Sequence, residues 1–154
     1  MDLSTILRPA AVKIVANVSS KKRLFQDLGD LVAGCYGLDP TEAFTALQQR
    51  ESLGPTGVGH GVALPHARLA GLDHVVGAFM RIEKPLDFDA VDRQPVDLIF
   101  ALFAPDGSGV DHLKALALVS RTMRDGDICA KLRANEEPDT LYTILTEAKA
   151  TRAA

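Results

Sequence analysis

The stretch from Val96 to Ala104, VDLIFALFA, sets the strongest condition on what this chain can fold into. Apart from Asp97 it is apolar, and it shows no alternation. Successive side chains of a strand point to opposite sides, so a strand of this composition must be covered on both faces. The longest unbroken apolar stretch, Leu98 to Pro105, is far short of the ~20 residues a membrane helix needs. A central sheet strand with helices above and below meets the condition. Val75 to Ile82 (VVGAFMRI) reads as a second strand buried on both sides, with shorter strands at Ala11 to Ala16 and Val62-Ala63-Leu64.

The covering helices are legible from spacing and caps. Leu24, Leu28, Leu31 and Cys35 recur at helical intervals, with Phe25 and Val32 widening the stripe. Ser19 or Ser20 serves as the cap, and Gly34 and Gly37 are candidate stops. Asp39-Pro40 places a cap before a proline at the first helical position, and that helix should end near Arg50 or Glu51. After the turn Pro105-Asp106-Gly107, Ser108 is expected to cap a helix carrying Leu113, Leu116, Ser120 and Met123. Asp125-Gly126-Asp127 breaks it, and Ile128 to Arg133 and Pro138 to Ala148 form two last helices. The expected class is α/β, a mixed sheet flanked by helices on both faces, in a single domain over residues 1–154 with 149–154 as a frayed tail.

Composition removes several functions. With 17 basic and 20 acidic residues and no block of one sign, there is no electrostatic footprint for nucleic acid. Aromatic content of 5% without tryptophan offers no base-stacking platform. The N-terminus MDLSTILRPA lacks a signal pattern, so the cytosol is the expected location, with no membrane insertion. There Cys35 and Cys129 are expected as two buried thiols rather than one disulfide; they are too few for a four-cysteine zinc site.

Between Gly54 and Gly61 the sequence GPTGVGHG is too rich in glycine for a helix. It lacks the dinucleotide spacing and the Lys-Ser/Thr of a phosphate-binding P-loop. None of His60, His66, His74 and His112 lies four residues from another, so a zinc site would need convergence from distant segments. No G-x-S-x-G is present. The glycines can instead give room to His66, which follows a strand and Pro65. A histidine held there, with one ring nitrogen bound to a carbonyl, offers the other as a nucleophile. His112 near a helix start, Arg50 at the loop edge, and Thr56 could surround a phosphoryl group. Taken singly, each also reads as an ordinary surface or turn residue.

RESLGPTGVGHGVALPHAR, from Arg50 to Arg68, resembles the active-site segment of phosphotransferase-system enzyme IIA domains of the fructose–mannitol class. FDAVDRQPVDLIFALFAP, from Phe88 to Pro105, and Asp111-His112-Leu113 before a long helix are similar to that family too. The similarity is greatest to the stand-alone nitrogen-regulatory, PtsN-type branch. The resemblance implies a sheet of about five strands. It implies that His66 accepts a phosphoryl group from a small histidine-phosphorylated carrier of the HPr or NPr kind. His112 then stabilises charge and Arg50 orients the phosphoryl group, while Thr56, Gly57 and Gly59 contact its oxygens. No metal or organic cofactor is implied. The expected output is phosphorylation-dependent binding to a regulatory target such as a sensor kinase or ion-transport protein. The alternative is a sugar-type IIA that passes phosphate to a IIB domain. The donor is expected to dock on an apolar rim, with Val58 and Val62 as contacts and Leu64 more readily in the core. Two positions depart from the family pattern: His60, where many members carry a polar, non-ionisable residue, and Lys114, where a histidine or polar residue is frequent.

Overall fold

The computed structural model of the chain describes residues 1–107 and 109–153, with side chains through Glu147. A short α1 (Leu3–Ile6) leads into β1 (Leu7–Val15), followed by α2 (Lys21–Tyr36) and α3 (Pro40–Ser52). Three short strands come next, β2 (Gly57–Gly59), β3 (Val62–Ala63) and β4 (His66–Leu69), then the long β5 (Val76–Leu86) and β6 (Val96–Pro105). The chain ends in α4 (Val110–Arg124), α5 (Gly126–Ala134) and α6 (Pro138–Ala153).

β6 occupies the centre, as its composition requires. It pairs antiparallel with β5 on one side and parallel with β3 and β4 on the other. β1 joins parallel to β5, and β2 pairs antiparallel with β3 at the opposite edge. From Leu98 to Ala104 every residue of β6 is at most 1% exposed, which confirms cover on both faces. Phe100 meets Phe79 of β5 edge to face at 6.2 Å. α2 and α3 pack together as one layer, and α1, α4, α5 and α6 contact one another as the other. Among the described residues, no helix is long and apolar enough to cross a membrane.

The sheet has six strands among the described residues, against about five expected. Two short strands were not read from the sequence: β2, in the glycine-rich stretch where a loop was expected, and β4, which begins at His66. β1 starts at Leu7 rather than Ala11, and its register shifts between Leu7 and Val12. Pro9, with no N–H to give, lies in that irregular portion.

The caps follow local chemistry. The Ser20 hydroxyl accepts from the Arg23 N–H, and α2 closes on Gly37 at φ 72°, a left-handed angle suited to glycine. Asp39 accepts from Thr41 and Glu42, and Asp125 from Asp127 and Ile128. Gly29 lets α2 approach α3: a Cβ there would lie 2.7 Å from the Pro40 carbonyl oxygen. Ser108, the expected cap of α4, lies outside the described residues, and α4 starts after Gly109. The expected tail 149–154 falls on residues whose side chains lie outside the description.

Candidate functional site

β3 and β4 run along the same side of β6, one after the other: Ala63 pairs with Ile99 and His66 with Leu102. Leu64 and Pro65 interrupt them. Proline cannot donate to the ladder, but its carbonyl still accepts from Leu102 N–H at 2.9 Å. His66 therefore resumes the pairing as the first residue of β4, one step past a fixed break. β2 and β3 end before this point, so among the described residues β4 pairs with β6 alone, and α3 packs against it. The C-terminal end of α3 and the first turn of α4 come together there, around a cleft of about 300 Å³ lined by Gln49, Arg50, Leu53, His66, Arg68 and His112.

The His66 ring is held by Nδ1, 2.8 Å from the Leu64 carbonyl oxygen. A carbonyl only accepts, so Nδ1 carries the proton and Nε2 keeps its lone pair. Burial lowers the His66 pKa from its ordinary value; the Leu64 bond and the Glu51 charge pull upward, and Arg50 pushes down. The neutral ring is the form that can attack phosphorus.

His112, the third residue of α4, faces His66 edge to face with ring centroids 5.7 Å apart. It is 8% exposed, so it is not the surface residue its helical position alone allowed. Arg68 Nε donates to His112 Nδ1 at 3.4 Å, which leaves the His112 proton on Nε2 as a donor. Burial again lowers the pKa, helped by the charges of His66 and Arg68. Arg50 gives one N–H to the Gly54 carbonyl at 2.9 Å, which sets its guanidinium at the cleft with further donors to offer.

The structure thus brings His66, His112 and Arg50 to one cleft. Thr56, Gly57 and Gly59 do not line it. Thr56 is 4% exposed, and its hydroxyl donates to Glu51 Oε1 at 2.6 Å. Gly57 sits in β2 against Ala90, and Gly59 precedes the turn in which Asp92 accepts from His60 N–H at 2.9 Å. Val62, expected on the apolar rim, is a core residue at 1% exposure because β3 is an inner strand, and Leu64, at 5%, lies in the core as expected. Val58 is exposed, and so are Leu53 and Leu113, which the rim had not included. Among the described residues, no group of three or more His, Cys, Asp or Glu could hold a metal ion.

Two site residues escaped the sequence reading. Arg68 lies two positions from His66, and β4 puts both on one face, but the sequence placed His66 after a strand rather than within one, so that period was not visible. Glu51 read only as a helix end. Its carboxylate accepts from Lys21 Nζ at 3.0 Å, Thr56 N–H at 3.0 Å and the Thr56 hydroxyl, partners that come together only in the fold.

Comparison with known proteins places the chain in a family. The family model described as "Phosphoenolpyruvate-dependent sugar phosphotransferase system, EIIA 2" matches residues 5–148. A nitrogen regulatory protein of Bradyrhizobium diazoefficiens is 44% identical over 153 residues, covering 99% of this chain and 100% of the relative. The crystal structure of nitrogen regulatory protein IIA-Ntr from Neisseria meningitidis superposes with a TM-score of 0.87 at 37% identity, over 94% of this chain and 99% of that one. IIA mannitol from Escherichia coli shares the fold, with a TM-score of 0.72 at 17% identity, over 88% of this chain and 96% of that one. The chain belongs to the EIIA 2 family of the phosphoenolpyruvate-dependent sugar phosphotransferase system.

Proposed function

We propose that this protein is a cytosolic phosphoryl carrier with a regulatory output. His66 Nε2 attacks the phosphorus of a small phosphohistidine carrier of the HPr or NPr kind. The new P–N bond forms as the donor's P–N bond breaks, and the donor ring takes back the electron pair. The transition state is loose, with charge spread over three equatorial oxygens. His112 Nε2–H and the Arg50 guanidinium supply donors to those oxygens, and the fold contributes positioning and fixed charge.

The observation that carries this reading is the His66 ring itself. It is locked at Nδ1 by Leu64, and His112 and Arg50 share its cleft. The names of the full-length relatives support a regulatory output, in which phosphate on His66 changes the charge of the docking face. The regulated partner is then a protein such as a sensor kinase or an ion transporter. Onward transfer to a IIB domain is the sugar-type alternative.

Incubation with phosphorylated carrier tests the reading. Intact mass should rise by one phosphoryl group, lost in acid and retained in base. His66→Ala should remain unlabelled while unfolding cooperatively near the wild-type midpoint. An acid-stable adduct, or label that persists in a folded His66→Ala, overturns it.

A further inference from the structure

We propose that Glu51 and Thr56 form a buried brace that orients His66 for phosphoryl transfer through the Leu64 peptide, a positioning role that rests on the reading above. The bonds run without a gap. Lys21 Nζ donates to Glu51 Oε2 at 3.0 Å. Glu51 accepts both the backbone N–H and the hydroxyl of Thr56, at 3.0 and 2.6 Å. The Thr56 carbonyl accepts from Leu64 N–H at 2.9 Å. The Leu64 carbonyl, at the other end of the same residue, accepts from His66 Nδ1 at 2.8 Å.

Leu64 stands next to Pro65, whose own carbonyl is bound to Leu102 N–H. The peptide that orients the ring is therefore gripped from β6 on one side and from Glu51, by way of Thr56, on the other. Glu51 is 9% exposed and Thr56 4%. Burying an ion pair is seldom a gain in stability over apolar side chains of similar volume. What a carboxylate does here, and an apolar group cannot, is hold one N–H and one O–H in a set direction. The Thr56 hydroxyl hydrogen points at Glu51, so Thr56 acts through its backbone and not on the phosphoryl oxygens. The Glu51 charge also opposes that of Arg50 at His66, whose ring faces His112, itself bonded to Arg68.

The test compares Thr56→Val, Thr56→Ser and Glu51→Gln in the full chain. Three quantities are read: the single-turnover rate with phosphorylated carrier, the His66 tautomer and pKa from ring 15N shifts, and the thermal midpoint. Thr56→Val should slow transfer about tenfold, the effect of one lost hydrogen bond to a charged group. It should also move His66 from a single Nδ1–H tautomer to a mixture. Thr56→Ser restores both. Glu51→Gln should lower the His66 pKa further. Unchanged 15N shifts in folded Thr56→Val overturn the brace, as does a rate loss that merely tracks the unfolded fraction. If Glu51→Gln does not fold, Thr56→Val, which removes one bond only, decides alone. If wild-type protein takes no phosphoryl group, the functional reading fails, and the 15N shifts still decide the brace.

Discussion

Arg68 donates to His112 across 44 residues of chain, from a strand on one side of the cleft to a helix on the other. This contact selects which nitrogen of His112 bears the proton. Arg68→Ala should let both tautomers populate, raise the His112 pKa by removing a nearby positive charge, and slow single-turnover transfer by about three- to tenfold. Arg68→Lys keeps a donor and the charge and should recover part of the rate. A wild-type rate in Arg68→Ala would reduce Arg68 to an exposed strand residue.

His112→Ala should cost ~10²–10³ in transfer rate, the usual effect of deleting one donor to a developing charge. The phosphorylated protein should still accumulate, because in the proposed mechanism the covalent bond forms on His66. Arg50→Lys should be damaging although it keeps the charge. Its fork gives one arm to Gly54 and offers the other arms to the cleft, and an ammonium cannot do both. Rapid-quench transfer from labelled carrier measures both variants.

The acidic limb of the rate profile should lie below pH 6.5. Burial holds the His66 pKa under its ordinary value of 6.5, so the ring stays neutral at pH values where a free histidine is half protonated. Stability has the same sign. Below about pH 6.5 the unfolded chain takes up protons that folded His66 and His112 refuse. Their contribution is complete above that pH and is lost as pH falls through the folded values. Urea midpoints against pH should therefore drop on the acid side in wild type and drop less in His66→Gln/His112→Gln. A limb centred at or above 6.5 contradicts the burial of the ring.

Gly29→Ala should destabilise the fold, although alanine is the better helix former by about 1 kcal/mol. The new Cβ would meet the Pro40 carbonyl oxygen at 2.7 Å, and backbone cannot rotate away as a side chain can. Overpacking of this kind costs roughly 1–3 kcal/mol, so the net loss should be about 1 kcal/mol and the thermal midpoint should fall by a few degrees. Calorimetry of the variant checks it.

What the amino-acid order revealed about the fold follows from how local each signal is. β6 was legible because double burial leaves no polar periodicity, and α2 and α3 because Ser20, Gly37, Asp39 and Pro40 act within a few residues of themselves. β2 and β4 span three and four residues, too short for a period to stand out, and they exist because β3 and β6 offer them a ladder; β3 itself was legible as the apolar Val62-Ala63-Leu64. At the candidate site, His66, His112 and Arg50, which share one cleft, were named from local chemistry and family resemblance. Thr56 was placed on the phosphoryl group because a loop hydroxyl looks free until its acceptor is known. That acceptor, Glu51, needed Lys21 from 30 residues upstream to be intelligible as a buried anion.

The Pro65–Leu102 bond has a dynamic consequence. Surface loops open at little free energy, whereas central strands exchange their amide hydrogens only when the domain as a whole opens. Leu102 belongs to the central strand, and the bond to Pro65 anchors the residue just before His66 to it. Local fluctuations of the kind that let water into loop-borne sites should leave the backbone that carries this ring where it is. The exchange rate at the Leu102 amide thus reads how often the backbone beside His66 leaves the central strand, and it should match the rate of global opening.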